Sequence, residues 1–538
     1  MARRPKRRLA TVDLETDPFR HGRTIRPFLW GFYSEEMGFH HHWRDAPDCA
    51  ETLFKFLETL EEPHLIYAHN GGRFDWLFLL PWITEPPTII SGRIVECKLG
   101  IHTLRDSFAI LPVPLKAAGD KLEIDMAKLE PGRRWRHRAE IVTYLEADCR
   151  ELFKAVSAFR ERFGNSLTMA GAAMRRLKAS VENATQRPWT HTLQKLPLSE
   201  DPRWRRWYYG GRVSCFDRGV IRENFTVYDV NSMYPSVMKH YKHPVGRHYI
   251  EQNAIDDRTD FAIVDAYSDG ALPLRADDGG LSFPKARSLY YASGHELRAA
   301  MELGKVRIFR VLQAMFCTVK IDFSDFVDEY YTLRQAARHT DPVAFLHYKL
   351  VLNSSYGRFA LDPEGLNDWQ VVPRDRAAWL EMIGQGYELA FEGPAVAMWR
   401  RPVDDKVKAR AILNVATGAS ITAAARAELL RGIAKAERPI YCDTDSLVCR
   451  QLDAPGGTDL GAWKVEGQVD EAAIAGRKLY ALFAEGQAVK YASKGVRLTP
   501  EQIRDVAQGS VITWQSDRPT FNVAGGWQYL RREVRMTA

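Results

Sequence analysis

Apolar positions recur along the chain with two periods. Leu9-Ala10-Thr11-Val12-Asp13-Leu14-Glu15-Thr16 alternates, with Val12 and Leu14 pointing one way and Asp13 and Glu15 the other, as a half-buried strand does. Phe28 to Tyr33, Leu65 to Ala68 and Asn224 to Asp229 read as further strands. Pro439-Ile440 and Val448-Cys449 flank Tyr441-Cys442-Asp443-Thr444-Asp445-Ser446-Leu447, a strand, an acidic turn and a strand. Elsewhere the spacing is helical. Ile141 to Phe153 sets Tyr144 and Asp148 one turn apart on a shared face. Lys349, Asn353 and Tyr356 form one stripe at i, i+4, i+7. A helix is predicted from Ile412 to Lys435, leading into the acidic hairpin.

The polar positions on these elements carry the candidate chemistry. Asp443 and Asp445 fall on one side of an extended segment and suit a hard cation such as Mg²⁺. Taken alone, the stretch fits a solvated Asp-rich turn equally well. Asp13 with Glu15 has the same ambiguity. After Ala68, His69-Asn70-Gly71-Gly72-Arg73-Phe74-Asp75 makes a turn and places Asp75 near a helix start, where capping is a fair alternative to catalysis. Asp229 closes a strand, and Val230-Asn231-Ser232-Met233-Tyr234-Pro235-Ser236 turns into a helix whose free N–H groups suit phosphate oxygens. Arg203-Trp204-Arg205-Arg206-Trp207-Tyr208-Tyr209-Gly210-Gly211-Arg212 mixes cations, rings and glycines, as a nucleic-acid contact or a packed domain boundary would.

Composition narrows the classes. At 538 residues, 45% hydrophobic and 27% charged, the chain exceeds one core and predicts several domains. No run of about eighteen apolar residues is present, so no membrane segment is expected. The basic start, Met1 to Arg8, lacks the apolar stretch of a secretory signal. The 7 cysteines include no CxxC pair, which excludes a zinc cluster or disulfide framework and points to a reducing interior. A net charge of +7 permits a nucleic-acid partner without requiring one.

Asp13-x-Glu15, Asn70-x3-Phe74-Asp75 and Tyr144-x3-Asp148, in that order, resemble the motifs of the proofreading 3′–5′ exonucleases attached to DNA polymerases. The resemblance implies that Asp13, Glu15, Asp75 and Asp148 hold two metal ions and that Tyr144 positions the attacking water. It implies that Thr16, Asn70 and Phe74 contact a frayed single strand. Ser107 and Phe108 resemble a strand-gripping segment, and Lys121 with Ile124 a Lys-x2-hydrophobic element, though loop and core readings stand equally for these.

Tyr208-x-Gly210-Gly211, followed by Arg212, is similar to the Tyr-x-Gly-Gly linker of one branch of family B DNA polymerases, where it stabilises primer in the polymerase site. Asp229-x2-Ser232-Met233-Tyr234-Pro235-Ser236 resembles the first polymerase motif, with Met233 for Leu, a volume-conserving swap. This implies metal binding by Asp229 and Val230, nucleotide contacts by Ser232 and Met233, and sugar discrimination by Tyr234. Lys349-x3-Asn353-Ser354-x-Tyr356-Gly357 matches the fingers motif. Lys349 would then pair with triphosphate oxygens, Tyr356 pack on the nascent base pair, Asn353 support it and Gly357 approach the minor groove. The turns before Lys349 carry Phe345 and Ala337 rather than a lysine-dense face, which leaves Arg334 and Arg338 to contribute. Asp443 with Asp229 would hold both metals, Asp445 supporting. Lys478-x-Tyr480 resembles an element at the primer end; Lys490 and Lys494 follow, and ordinary surface strands are an alternative for both segments.

The chain is thus identified as a member of the family B DNA polymerases, in the protein-primed branch of bacteriophages and linear plasmids. The resemblance implies an α/β and α+β multidomain architecture: an RNase H-like exonuclease domain followed by a right-hand polymerase of palm, fingers and thumb. Expected boundaries are exonuclease 1–165, junction 166–212, palm 213–260, a first insertion facing a terminal protein 261–323, fingers 324–361, a second insertion for processivity and strand displacement 362–408, palm 409–485 and thumb 486–538. Expected ligands are Mg²⁺ or Mn²⁺, two per active site, and dNTPs. Expected partners are template-primer DNA and a terminal protein, for a monomer in the host cytoplasm. Alternatives are a family B enzyme using a nucleic-acid primer or none, and a DNA-binding relative in which only the exonuclease is active.

Overall fold

The computed structural model describes residues 7–19, 24–83, 85–117, 123–276, 279–392, 396–454, 456–493, 498–522 and 526–537. Lys121, Lys494 and most of the basic N-terminal tail lie outside them. Among the described residues no helix is long and apolar enough to cross a membrane.

The first part of the chain is built on a seven-stranded sheet. Its spatial order is Gly38–Trp43, Pro27–Ser34, Arg8–Thr16, His64–Ala68, His102–Asp106, Arg93–Leu99, Thr88–Ile90. Arg8–Thr16 runs antiparallel to Pro27–Ser34 and parallel to His64–Ala68, which is parallel to His102–Asp106. Val12 and Leu14 enter the core as their alternation predicts. The helix Arg138–Phe163 packs across Arg8–Thr16 and Pro27–Ser34. Gly31 permits that approach, because a Cβ there would stand 2.8 Å from Leu145 Cγ.

A five-stranded sheet forms the second centre, in the order Trp463–Val469, Phe225–Val230, Ser446–Cys449, Tyr441–Asp443, Val213–Cys215. Beside it, helix Met233–His240 packs on helix Val415–Lys435. The latter is rich in Ala, Gly, Ser and Thr and is buried on nearly every side, as an all-round apolar helix must be. Ser324–Ala337 and Pro342–Ser355 form a packed helix pair. Asp341 caps the second helix through the Ala344 N–H at 2.9 Å, and Pro342 occupies its first turn.

Two smaller sheets are inserted. Tyr249–Gln252, Val306–Cys317, Phe261–Asp269 and Lys285–Ser293 form one, packed with the helix Gly294–Glu302. Its strand Tyr249–Gln252 lies before the boundary expected at residue 261. Asn367–Pro373, Val396–Pro402 and Glu388–Glu392 form the other. Its Met398 belongs to the core of the N-terminal sheet, with Trp369, Val371 and Phe391 packed against that core. Near the C-terminus, Gly219–Ile221, Glu471–Gly476, Leu479–Ala484 and Gln487–Ser493 make one continuous sheet. A boundary at 485/486 would cut this sheet. The hairpin Ile512–Asn522/Gly526–Met536 follows and pairs with Thr24–Ile25.

Buried histidines make the fold acid-sensitive. Burial pushes His347 down to about 4 from an ordinary 6.5, with the Arg162 charge adding to the effect; its ring packs edge-on to Phe159 and Phe163. The unfolded chain therefore takes up a proton below pH 6.5 that the folded chain refuses until about 4. This contribution to stability is present above 6.5 and is lost as the pH falls through that window. Between pH 7.5 and 5, His347→Phe is expected to gain about 2 kcal/mol relative to wild type in urea unfolding. A pH-independent difference would show that His347 does not titrate in this way.

Candidate active sites

A cavity of about 590 Å³ opens where the five-stranded sheet meets the helix pair. Its lining brings together Asp229, Val230, Ser232, Met233, Tyr234, Lys349, Asn353, Tyr356 and Asp445, residues scattered over more than two hundred positions of sequence. Arg334 and Arg338 line it as well. The acids come from the sheet and the cations Arg334, Arg338 and Lys349 from the helix pair. A metal-bound polyphosphate requires this polarity. Ser232, with φ +53, precedes helix Met233–His240 and accepts a 2.8 Å hydrogen bond from Arg334 Nη1. The rings of Tyr234 and Tyr356 stack at 4.2 Å and 13°.

The structure separates the two hairpin acids. Asp445 lines the cavity; burial, then the charge of Asp229, then that of Asp443 push its carboxyl up to about 6. Asp229 is raised too, by burial and then by Glu466. Two carboxyls pushed up by burial and by neighbouring carboxylates in one half-dry cavity are a donor set that a divalent cation relieves. Asp443 is engaged elsewhere. Lys478 Nζ donates to both its oxygens at 2.8 and 2.9 Å, and Thr444 Oγ1 donates to Oδ1 at 2.9 Å. Asp443 is the expected ligand and Asp445 the expected support; here Asp445 is the acid that lines the cavity, and Asp443 is the one held by a lysine. The reason is a partner thirty-five residues downstream in sequence. Among the described residues no three His, Cys, Asp or Glu side chains form a ready metal cage; Mg²⁺ typically takes one or two carboxylates plus substrate phosphates.

Several residues expected at DNA are interior. Tyr480 is buried, its ring 4.6 Å from that of Tyr441 in the core beneath the hairpin. Arg212 is 4% exposed, donates to Ser214 Oγ at 3.2 Å and lies 4.4 Å over the Phe283 ring. Trp204 and Trp207 are buried, so the packed-boundary reading fits their rings. Lys490 reaches Glu466 at 2.7 Å. Gly357 does face open space, as does Gly210.

The linker instead supports the acidic hairpin. Thr444, between the two acids and at φ +63, donates its N–H to Arg212 O at 2.7 Å. A Cβ on Gly211 would stand 2.8 Å from Thr444 Cγ2 and Oγ1. Gly211→Ala should therefore displace the hairpin and lower nucleotide incorporation by about tenfold or more, with 3′-end trimming nearly unchanged. Extension of a primed template beside digestion of a single strand tests this, and equal losses in both would count against it. Sequence reasoning missed Arg426, which is 3% exposed on helix Val415–Lys435. It pairs with Glu296 at 2.7 Å and donates to the carbonyls of Tyr209 and Gly210 at 2.7 and 2.9 Å.

The N-terminal acids also converge. Asp13, Asp148, Glu15 and Asp75 all act on one buried thiol, Cys149, which burial and then their charges hold well above its ordinary range. Asp75 is 2% exposed and opens the short helix Asp75–Phe78, with Phe74 in the cap position; its carboxyl accepts backbone hydrogen bonds at its own residue and at Leu14 on the strand Arg8–Thr16. Burial and then Asp13 raise its carboxyl well above the usual range. Tyr144 is half-buried one turn before Asp148 on Arg138–Phe163. Asn70 sits at φ +65 and accepts from Arg93 Nη1 at 2.8 Å. The same arginine pairs with buried Asp106 and lies 4.5 Å over the Phe108 ring. Arg93 ties the Asn70 turn to the segment at Asp106 and Phe108, and no local pattern marks it. Ser107 is fully buried and bonded to His69 and to the Ala68 carbonyl. Phe74 meets Phe19 and Phe78 edge-on at 5.6 and 5.4 Å, and Phe19 is exposed. Thr16 is buried, its hydroxyl on the Asp17 carbonyl.

Such an assembly, an acid-ended strand and acidic hairpin facing a cationic helix pair behind a four-carboxylate N-terminal sheet, has close counterparts. The profile described as "DNA polymerase type B, organellar and viral" matches residues 125–447. The chain belongs to that family. It is 40% identical over 563 aligned positions to the DNA-directed DNA polymerase of Enterobacteria phage PRD1, covering 98% of both chains. It is 22% identical to the DNA polymerase of Bacillus phage Nf, over 84% of this chain and 83% of that one. Its fold superposes on the Phi29 DNA polymerase complexed with primer-template DNA and incoming nucleotides with a TM-score of 0.74, at 20% identity, over 98% of this chain and 100% of that one.

Proposed function

We propose that this protein is a DNA-dependent DNA polymerase with a 3′–5′ proofreading exonuclease, replicating a phage- or plasmid-type genome from a protein primer. The observation that carries the reading is the cavity uniting Asp229 and Asp445 with Arg334, Arg338 and Lys349. In this reading the N-terminal sheet is the RNase H-like exonuclease, the five-stranded sheet the palm, the helix pair Ser324–Ala337/Pro342–Ser355 the fingers, and the C-terminal helix and hairpin the thumb. Asp229, Asp445 and the Val230 carbonyl would hold Mg²⁺ with the substrate's phosphates. Bound there, the metal would lower the pKa of the primer hydroxyl and neutralise departing pyrophosphate. Arg334, Arg338 and Lys349 bind the triphosphate from the opposite wall. Tyr234 and Tyr356, stacked before the nucleotide enters, define the floor on which sugar and base are checked. Lys478 fixes Asp443 and with it the turn that presents Asp445. Asp13, Glu15, Asp75 and Asp148 form the trimming site, and Arg93 aligns Asn70 and Phe108 along the strand's path.

Protein priming is supported by a surface. The inserted sheet leaves Tyr267, Leu289, Phe309 and Leu312 exposed, with Arg287 and Arg307 over the Phe309 ring at 4.3 and 5.3 Å. An apolar and basic patch of this kind suits a protein partner. The deciding experiment incubates the enzyme with labelled dNTP and a terminal-protein candidate encoded beside its gene. The expected result is label covalently attached to that protein in the presence of Mg²⁺ or Mn²⁺. Extension of oligonucleotide primers without any protein labelling would favour a primer-dependent enzyme.

A further inference from the structure

The register of the five-stranded sheet sets Lys464 directly opposite Asp229. Both side chains line the cavity. Lys464 Nζ is 3.5 Å from Asp229 Oδ2 and 3.2 Å from Glu466 Oε1. Glu466 lines the same wall and also receives Lys490. One tethered ammonium thus reaches between two carboxylates beside a third, Asp445. The lysine side chain is 42% exposed, and its flexible stem lets the charge swing aside. Lys478, by contrast, contacts both oxygens of Asp443, which lies outside the cavity lining. The two lysines therefore differ in kind: one fixes a supporting acid, the other stands beside an acid that faces substrate.

We propose that Lys464 is a built-in counter-ion for Asp229, which steadies the carboxylates while the cavity is empty and competes with the incoming divalent ion, so that this residue sets how much metal the site requires. The inference rests on the reading of Asp229 as a metal-holding residue. A cross-strand pair of opposite charges stabilises its sheet, and a cation within about 4 Å of a carboxylate opposes a second cation there. Lys464 must withdraw before Asp229 can turn to a metal, and the withdrawal is paid from metal affinity.

The test reads metal binding rather than turnover. Mn²⁺ is titrated into protein free of DNA and nucleotide, and the unbound ion is followed by electron paramagnetic resonance. An Asp13→Ala, Asp75→Ala background confines the signal to the cavity. Lys464→Met is expected to bind Mn²⁺ about tenfold more tightly than this parent. Lys464→Arg, which keeps the charge, is expected to stay within about twofold of it. Unchanged or weaker binding by Lys464→Met would overturn the proposal, as would equal tightening by both variants, because charge would then not be the cause. Asp229→Asn separates the two failures: if it leaves Mn²⁺ binding intact, the reading of Asp229 is what fails.

Discussion

Asp445→Asn is expected to lower nucleotide incorporation by about a thousandfold or more while 3′-end trimming persists. Asp443→Asn should cost only about ten- to a hundredfold. The difference follows from where each charge is spent. Asp445 faces the cavity with its carboxyl pushed up by burial and by Asp229, and an amide in its place offers a cation one neutral oxygen. Asp443 gives both oxygens to Lys478, so its loss loosens the turn without removing a cavity ligand. Single-nucleotide incorporation under saturating Mg²⁺ measures both. If Asp443→Asn were the more damaging, the ligand assignment would revert to Asp443.

Asp75→Asn should do the reverse, lowering trimming of a labelled single strand on the order of a thousandfold with extension retained. Asp75 is buried against the charge of Asp13, a like-charge arrangement that costs stability when no cation is bound. The variant should therefore unfold at a slightly higher temperature than the parent in metal-free buffer. Lost trimming with raised stability marks a removed ligand; lost trimming with lowered stability would mark damaged packing instead.

Much of this architecture is legible from period alone. The strand Arg8–Thr16 sorts its apolar and acidic faces as the alternation predicts, and the Lys349, Asn353, Tyr356 stripe lines one cavity wall. Spacing works there because one element carries the whole pattern. It fails where a distant element decides. Nothing within Tyr441 to Leu447 tells that Lys478 claims the first acid. Nothing beside Asp229 tells that Lys464 pairs across from it, since register is set by the sheet as a whole. Arg212 and Tyr480 carry the residue types of DNA contacts, yet Phe283 and Tyr441 cover them. Arg93 acts through the Asn70 side chain and Asp106, and Arg426 through backbone carbonyls and Glu296, contacts that leave no local mark. The motifs thus pointed to the chemistry, and the long-range partners show which of their side chains face the cavity and which are tied elsewhere.

Met398, rooted in the core of the N-terminal sheet although it belongs to the strand Val396–Pro402 far downstream in the chain, bears on how this enzyme can be taken apart. An exonuclease fragment cut before the junction would carry an apolar wound where Met398, Trp369 and Phe391 had packed. The insertion expressed alone would carry the matching one. The editing and synthetic halves are therefore not interchangeable cassettes: a chimaera that swaps one must bring the three-stranded sheet along with it.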